Sequence, residues 1–248
     1  MVHTAASAGF GRAADAYERG RPHYPDAAVE WLWGALELRS GGTVVDVGAG
    51  TGRLTAALVA RGAQVVAVEP VSAMRELLAA AVPEARAEPG TAEQLPATDG
   101  SADAVVAAQA FHWFATEAAL SEFHRVLGPG GRLGLIWNRR DLEDQLQAAI
   151  SRLLEPHRGD APRQASGEWR RPLERSVLFE PAGELEVDFV QELSRAGLIG
   201  RVESTSFVGA LEQRPRAALL GEVGELVGEH GLARLPYTCE AFVYAARD

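Results

Sequence analysis

One cysteine stands in 248 residues, and no lysine at all. The lone Cys239 excludes an internal disulfide and any zinc site built from several cysteines, so a reduced, cytoplasmic setting is the default expectation. The 24 basic residues are all arginine and are outnumbered by 34 acids, giving a net charge of -10. No basic tract interrupts this acidity, which argues against DNA or RNA as a partner. Also lacking is any run of about 18 apolar residues, and the N-terminal stretch has no basic segment leading into a long apolar one. Neither membrane insertion nor secretion is expected. There is no H-E-x-x-H, and Asp141 with Asp144 reads as a helix start rather than a metal pair, so no metal is expected.

What is present is enough apolar material, 47% of residues, for one substantial core. TVVDV (43–47) and QVVAV (64–68) are short β-branched runs, and the segment between them carries apolar residues at helical spacing. The rhythm continues with a helix at 71–82, a weak strand at 85–89, a buried strand at 102–109, a helix at 116–127 and a strand at 130–138. Such alternation predicts an α/β fold with a parallel sheet covered on both faces. Beyond it the pattern predicts helices at 141–156, 187–197 and 215–230, and strands near 201–209 and 237–246. The chain thus divides into residues 1–40 (an N-terminal lid and helix), 41–140 (a Rossmann-like core) and 141–248 (a half that completes the sheet and adds a substrate-side helical insertion), one domain overall.

The densest signal is VVDVGAGTGR (44–53), three glycines in five positions behind a strand. Glycines there let a ligand approach the backbone, and the following helix N-terminus favours negative charge. The spacing is G-x-G-x-G rather than the dinucleotide-binding G-x-G-x-x-G, and Asp46 stands two residues before the first glycine. A carboxylate about 4 Å from a phosphate costs on the order of 4 kcal/mol near a protein surface, whereas a cationic ligand gains a similar amount. S-adenosylmethionine carries a sulfonium and an ammonium and no phosphate, so Asp46 favours it over a nicotinamide cofactor. Glu69 ends the second strand, where an acid can take ribose hydroxyls. The alternative for both acids is a helix cap.

VVDVGAGTGRLTAAL, Glu69-Pro70, GTAEQLPATDGSADAVVAAQAFHWF (90–114) and HRVLGPGGRLGLIWN (124–138) resemble the successive motifs of class I S-adenosylmethionine-dependent methyltransferases, in the small-molecule branch that includes trans-aconitate methyltransferase-like proteins. The resemblance implies a Rossmann-like seven-stranded sheet with its last strand antiparallel. It also implies that Asp46, Gly48, Ala49, Gly50, Thr51 and Gly52 hold the methionine part, Glu69 and Pro70 the ribose side, and Thr91, Ala92 and Glu93 the adenine. Thr91 stands where many relatives carry aspartate, which leaves Glu93 as the acid near adenine. Gln109 and Ala110 would lie under the methionine carboxyl and sulfonium.

AFHWF (110–114) follows the fourth strand, where ligands of open α/β sheets bind, and its aromatics can exclude water and face a sulfonium. Methyl transfer chiefly requires alignment of the reacting atoms. An ionised carboxylate needs no base, whereas a phenol or alcohol would make His112 useful as one. His112 and Trp113 equally suit a packed aromatic cluster. In FGRAADAYERGRPHYP (10–25) the family lid would bring Tyr17, Arg21 and Tyr24 to the site, with Arg21 able to grip a carboxylate bidentately or stand solvated. Trp137 and Asn138 end the fifth strand and would face the acceptor. The expected activity is methyl transfer to a small molecule, at oxygen and in one version on a carboxylate, by a monomer or homodimer. The competing classes are a nicotinamide-dependent oxidoreductase and a non-catalytic cofactor-binding regulator.

Overall fold

A computed structural model describes residues 20–228 and 231–247. The N-terminal helix α1 (Asp26–Ala35) buries Ala28, Val29 and Leu32. It is followed by β1 (Thr43–Val47), α2 (Arg53–Val59), β2 (Gln64–Val68), α3 (Ser72–Ala81), β3 (Arg86–Glu88) and β4 (Ala102–Ala108). A single 3-10 turn (Phe111–Trp113), α4 (Glu117–Val126) and the long β5 (Leu127–Arg140) complete the alternating part. These elements form because β-branched and small apolar runs, buried on both faces, alternate with helices whose apolar stripe faces the sheet.

The second part departs from the expected pattern. Helices α5 (Gln145–Leu154) and α6 (Arg170–Arg175) precede β6 (Phe179–Ser194), and α7 (Arg195–Glu203), α8 (Ser206–Gly209) and α9 (Gln213–Glu225) precede β7 (Leu232–Ala246). The helix predicted at 187–197 is therefore mostly strand, and the strand predicted near 201–209 is helical. Val187, Val190 and Leu193 mimic helical spacing, but Leu185, Val187, Phe189, Gln191 and Leu193 alternate with Glu184, Glu186, Asp188 and Glu192, the period of a half-buried strand. Cross-strand pairing along β7 decides the competition. Ser194 then caps α7, its hydroxyl accepting from Gly197 N at 3.2 Å. Likewise α5 starts at Asp144, which accepts from Gln147 N, and Asp141 only caps the preceding turn through Glu143 N.

Among the described residues the strands form one sheet in the order β3-β2-β1-β4-β5-β7-β6. Pairs within β3-β2-β1-β4-β5 are parallel, and β7 runs antiparallel to both neighbours. One face packs Phe111, Phe123, Leu133, Leu135 and Trp137. The other packs α1 against Val44, Ile136, Ala241 and Val243. No described helix is long and apolar enough to cross a membrane. The order of strands reverses between β1 and β4, which opens the crevice at the carboxyl ends where such sheets bind ligands.

Candidate functional site

Four loops converge at the carboxyl ends of β1 to β4. The first is the glycine loop, where Gly48, Gly50 and Gly52 all have positive φ, 68°, 60° and 89°. A side chain at Gly48 would meet Ala110 Cβ at 2.9 Å and Phe114 at 3.3 Å, so this loop and the loop after β4 touch only because the position is bare. At Gly52, the left-handed cap of α2, a Cβ would press on Leu78 at 3.0 Å. Gly52 thereby sets how closely the loop sits on α3.

Asp46 lies beneath this loop and is fully buried. Its Oδ2 accepts from Thr55 Oγ1 at 2.7 Å, while its Oδ1 is buried with no hydrogen-bond partner. Burial pushes its pKa up to about 7, against the hydrogen bond from Thr55, and the nearby Glu69 adds to the rise. An isolated buried carboxylate with one bare oxygen is costly unless a donor or cation arrives. Glu69 is also buried, and takes Gly50 N on Oε2 and Val71 N on Oε1, each at 2.9 Å. Burial raises its pKa, while these two amides and Arg75 oppose the rise. Glu69 is thus the strut that ties the glycine loop to the loop after β2. Pro70 beside it is exposed.

After β3, Thr91 and Gln94 close a tight turn through their backbones, which buries Ala92 against Val68 and Leu95 and leaves Thr91 and Glu93 partly exposed. After β4 the backbone of Gln109 is left-handed, φ 56°, an unusual state for a residue with a side chain. Its N donates to Ile136 O at 2.8 Å and its Nε2 to Asn138 O at 3.3 Å, locking it to β5. Asn138 in turn donates to His23 O at 3.2 Å, and its own Oδ1 is buried without a partner.

His112 has a defined tautomer. The Trp137 indole Nε1–H donates to its Nδ1 at 3.2 Å, so the ring proton belongs on Nε2. Burial, and then the positive charge of Arg21, pulls its pKa down to about 3. Trp137 is itself buried against Trp169, centroids 4.6 Å apart, and Trp113 lies 5.3 Å from the imidazole.

His112, Trp113, Trp137, Asn138, Gln109 and Arg21 line one cavity of about 1290 Å³. Arg21 donates to Ser204 O at 3.1 Å, which binds the N-terminal segment to α7. Tyr24 is not among the residues lining this cavity; it packs against the α1 layer of the core. Tyr17 lies outside the described residues. Sequence reasoning missed Arg140, Arg201 and Tyr237, which line the same cavity. Arg140 and Tyr237 were discoverable: an antiparallel last strand starts where β5 ends, so its first residues belong to the ligand side. Arg201 gave no such signal, because its segment read as a strand.

A methyltransferase domain model matches residues 45–135, the stretch from β1 into β5. Over 245 residues the chain is 41% identical to a methyltransferase of Mycobacterium tuberculosis, covering 93% of each protein. The chain is a class I S-adenosylmethionine-dependent methyltransferase. A second methyltransferase, from Schizosaccharomyces pombe, is 40% identical over 144 residues, 58% of this chain and 57% of that one. Solved structures carry the fold further. A type II methyltransferase from Anaeromyxobacter dehalogenans superposes with a TM-score of 0.64 at 23% identity, over 90% of this chain and 97% of that one. Geranyl diphosphate C-methyltransferase from Streptomyces coelicolor, bound to S-adenosylhomocysteine, gives 0.53 at 16% identity, over 93% and 87%. Membership in this family sets aside the nicotinamide-dependent oxidoreductase. In this methyltransferase the crevice between β1 and β4 lies at the carboxyl ends of the strands, and Gln109, just after β4, also lines the cavity.

Proposed function

We propose that this methyltransferase esterifies a carboxylate of a small molecule. The observation that carries the proposal is His112: its Nδ1 is occupied by Trp137, and its pKa of about 3 keeps it neutral and proton-donating at physiological pH. A ring in that state cannot take a proton from a phenol or alcohol. An acceptor oxygen that arrives already ionised, as a carboxylate does, needs no such base. The Nε2–H of His112 can instead donate to the acceptor carboxyl group.

The residues fit the cofactor. Asp46 offers a bare, buried carboxylate oxygen to a cation, and the bare position at Gly48 lets the loop after β4 close against the glycine loop. Glu69 keeps spare lone pairs for ribose hydroxyls, Ala92 and Glu93 border the adenine with Thr91, and Gln109 with Ala110 forms the floor under the methionine end. S-adenosylmethionine supplies the electrophilic methyl group when bound. The protein positions: Gln109 and Asn138 fix the β4 and β5 ends relative to each other, Trp113 and Trp137 exclude water, and Arg21 offers a positive charge to the acceptor.

The test is the pH profile of methyl transfer from S-adenosylmethionine to small carboxylic acids and, separately, to phenols. Transfer to acids with no step attributable to a base between pH 6 and 9 supports the proposal. Transfer confined to phenols, rising with pH as a base deprotonates, overturns it.

A further inference from the structure

At its far end the cavity gathers two arginines, Arg140 and Arg201, that form no salt bridge among the described residues. Arg140 and Tyr237 are direct cross-strand partners on β5 and β7, so they share one face of the sheet. The Tyr237 ring stacks on Phe189 of β6, centroids 5.4 Å apart and 17° from parallel. Its hydroxyl accepts from Arg201 Nε at 3.2 Å. Arg201, on α7, is only 6% exposed, and its Nη1 is buried with no hydrogen-bond partner. Gly20 packs directly on the Arg201 backbone, which places Arg21 at the same end.

Five carboxylates line the cavity; Asp141 accepts from Glu143 N, Glu143 forms no salt bridge to either arginine, and the other three are committed elsewhere. Glu240 pairs with Arg139 at 2.7 Å and accepts from Gln164, Glu155 pairs with Arg158 and Arg163, and Asp188 accepts from Thr238. Among the described residues neither Arg140 nor Arg201 has a salt-bridge partner. A buried guanidinium with an unmet donor is costly, and its planar fork matches a carboxylate or phosphate.

We propose that Arg140, Arg201 and Tyr237 form a subsite for a second anionic group of the methyl acceptor, a carboxylate or a phosphate distant from the oxygen that is methylated. The inference rests on the cavity being the acceptor site. Arg140 lies two residues beyond Asn138 on the same strand, about 7 Å at the strand rise, so the subsite stands clear of the methyl-transfer position. The acceptor is then two-ended, one ionised group held at His112 and the other at the arginines. The subsite acts on binding and selection rather than on chemistry.

Two measurements on the full-length protein test this. Titration calorimetry with inorganic phosphate and with succinate should show binding that weakens about tenfold or more in Arg140→Gln and Arg201→Gln. S-adenosylhomocysteine affinity should stay unchanged, which also certifies the fold. Tyr237→Phe, which keeps the stacked ring, should lose less. Methyl transfer is then compared among acids of one chain length that end in a methyl group, a carboxylate or a phosphate. The wild type should prefer a charged end, chiefly through KM, and Arg140→Gln should lose that preference; the better of the two charged ends identifies the group. Equal binding of phosphate and succinate by wild type and Arg140→Gln, with transfer indifferent to the distal charge, would overturn the subsite and leave carboxylate methylation standing. Anion binding lost in the variants, with no acid methylated, would support the subsite and overturn carboxylate methylation.

Discussion

Asp46 is a buried acid whose ionisation costs the free protein, and we propose that a bound cation offsets that cost. Its folded pKa of about 7 lies above the 3.8 of an unburied aspartate. The stability this carboxyl contributes is therefore full below about pH 4 and is lost as pH rises through about 7. Asp46→Asn removes the charge and retains an oxygen to accept from Thr55, so the cofactor-free variant should melt at a higher temperature than wild type at pH 8, with the two converging toward pH 4. The same variant should bind S-adenosylmethionine at least tenfold more weakly at pH 8, as expected for loss of a charge-assisted contact. Between pH 8 and 6 the gap should narrow, because the wild-type carboxyl takes up a proton; calorimetry of both proteins cancels the ligand's own titration. Unchanged affinity in Asp46→Asn would remove Asp46 from the cofactor site.

His112 carries the opposite lesson, since the residue was visible in the sequence but its role was not. AFHWF marked the place, yet only the Trp137 indole fixes which nitrogen holds the proton. Trp137→Phe removes that donor and frees Nδ1, but burial and the charge of Arg21 remain, so the imidazole should stay neutral at pH 5, as followed by its ring proton shifts in NMR. A ring that becomes protonated near pH 6 in this variant would show that the indole, rather than burial and Arg21, holds it neutral.

At the level of elements, the glycine loop and the first five strands were legible because each is encoded locally: β-branched runs, helical stripes and glycines forced by positive φ. Gly48→Ala tests that encoding. The added methyl meets Ala110 at 2.9 Å in a backbone state unfavourable for alanine, so a stability loss of about 1–3 kcal/mol and weakened cofactor binding are expected in denaturant unfolding and calorimetry. The later elements were not legible for a physical reason. Residues 187–193 satisfy helical and strand periodicity at once, and only pairing with β7, forty or more residues away, selects the strand. Phe189 records that choice by stacking on Tyr237. Phe189→Ala should cost about 2–3 kcal/mol in urea unfolding, against well under 1 kcal/mol for solvent-facing Glu186→Ala on the same strand. Comparable losses at the two positions would contradict the face assignment.

Across the whole molecule, the sheet gathers residues from opposite ends of the chain at one rim. Asp46 and Glu69 come from its first half, His112 and Asn138 from the β4 and β5 ends, Arg201 and Tyr237 from the closing elements. An acidic protein with net charge -10 thus places Arg21, Arg140 and Arg201 along one cavity, which is the basis for proposing a small anionic acceptor there. The most direct test is transfer of a tritiated methyl group from S-adenosylmethionine to small acids, followed by mild alkali. Label released as volatile methanol identifies a methyl ester and is the predicted result. Label that stays fixed in an alkali-stable ether, amine or carbon-bound product would contradict carboxylate methylation.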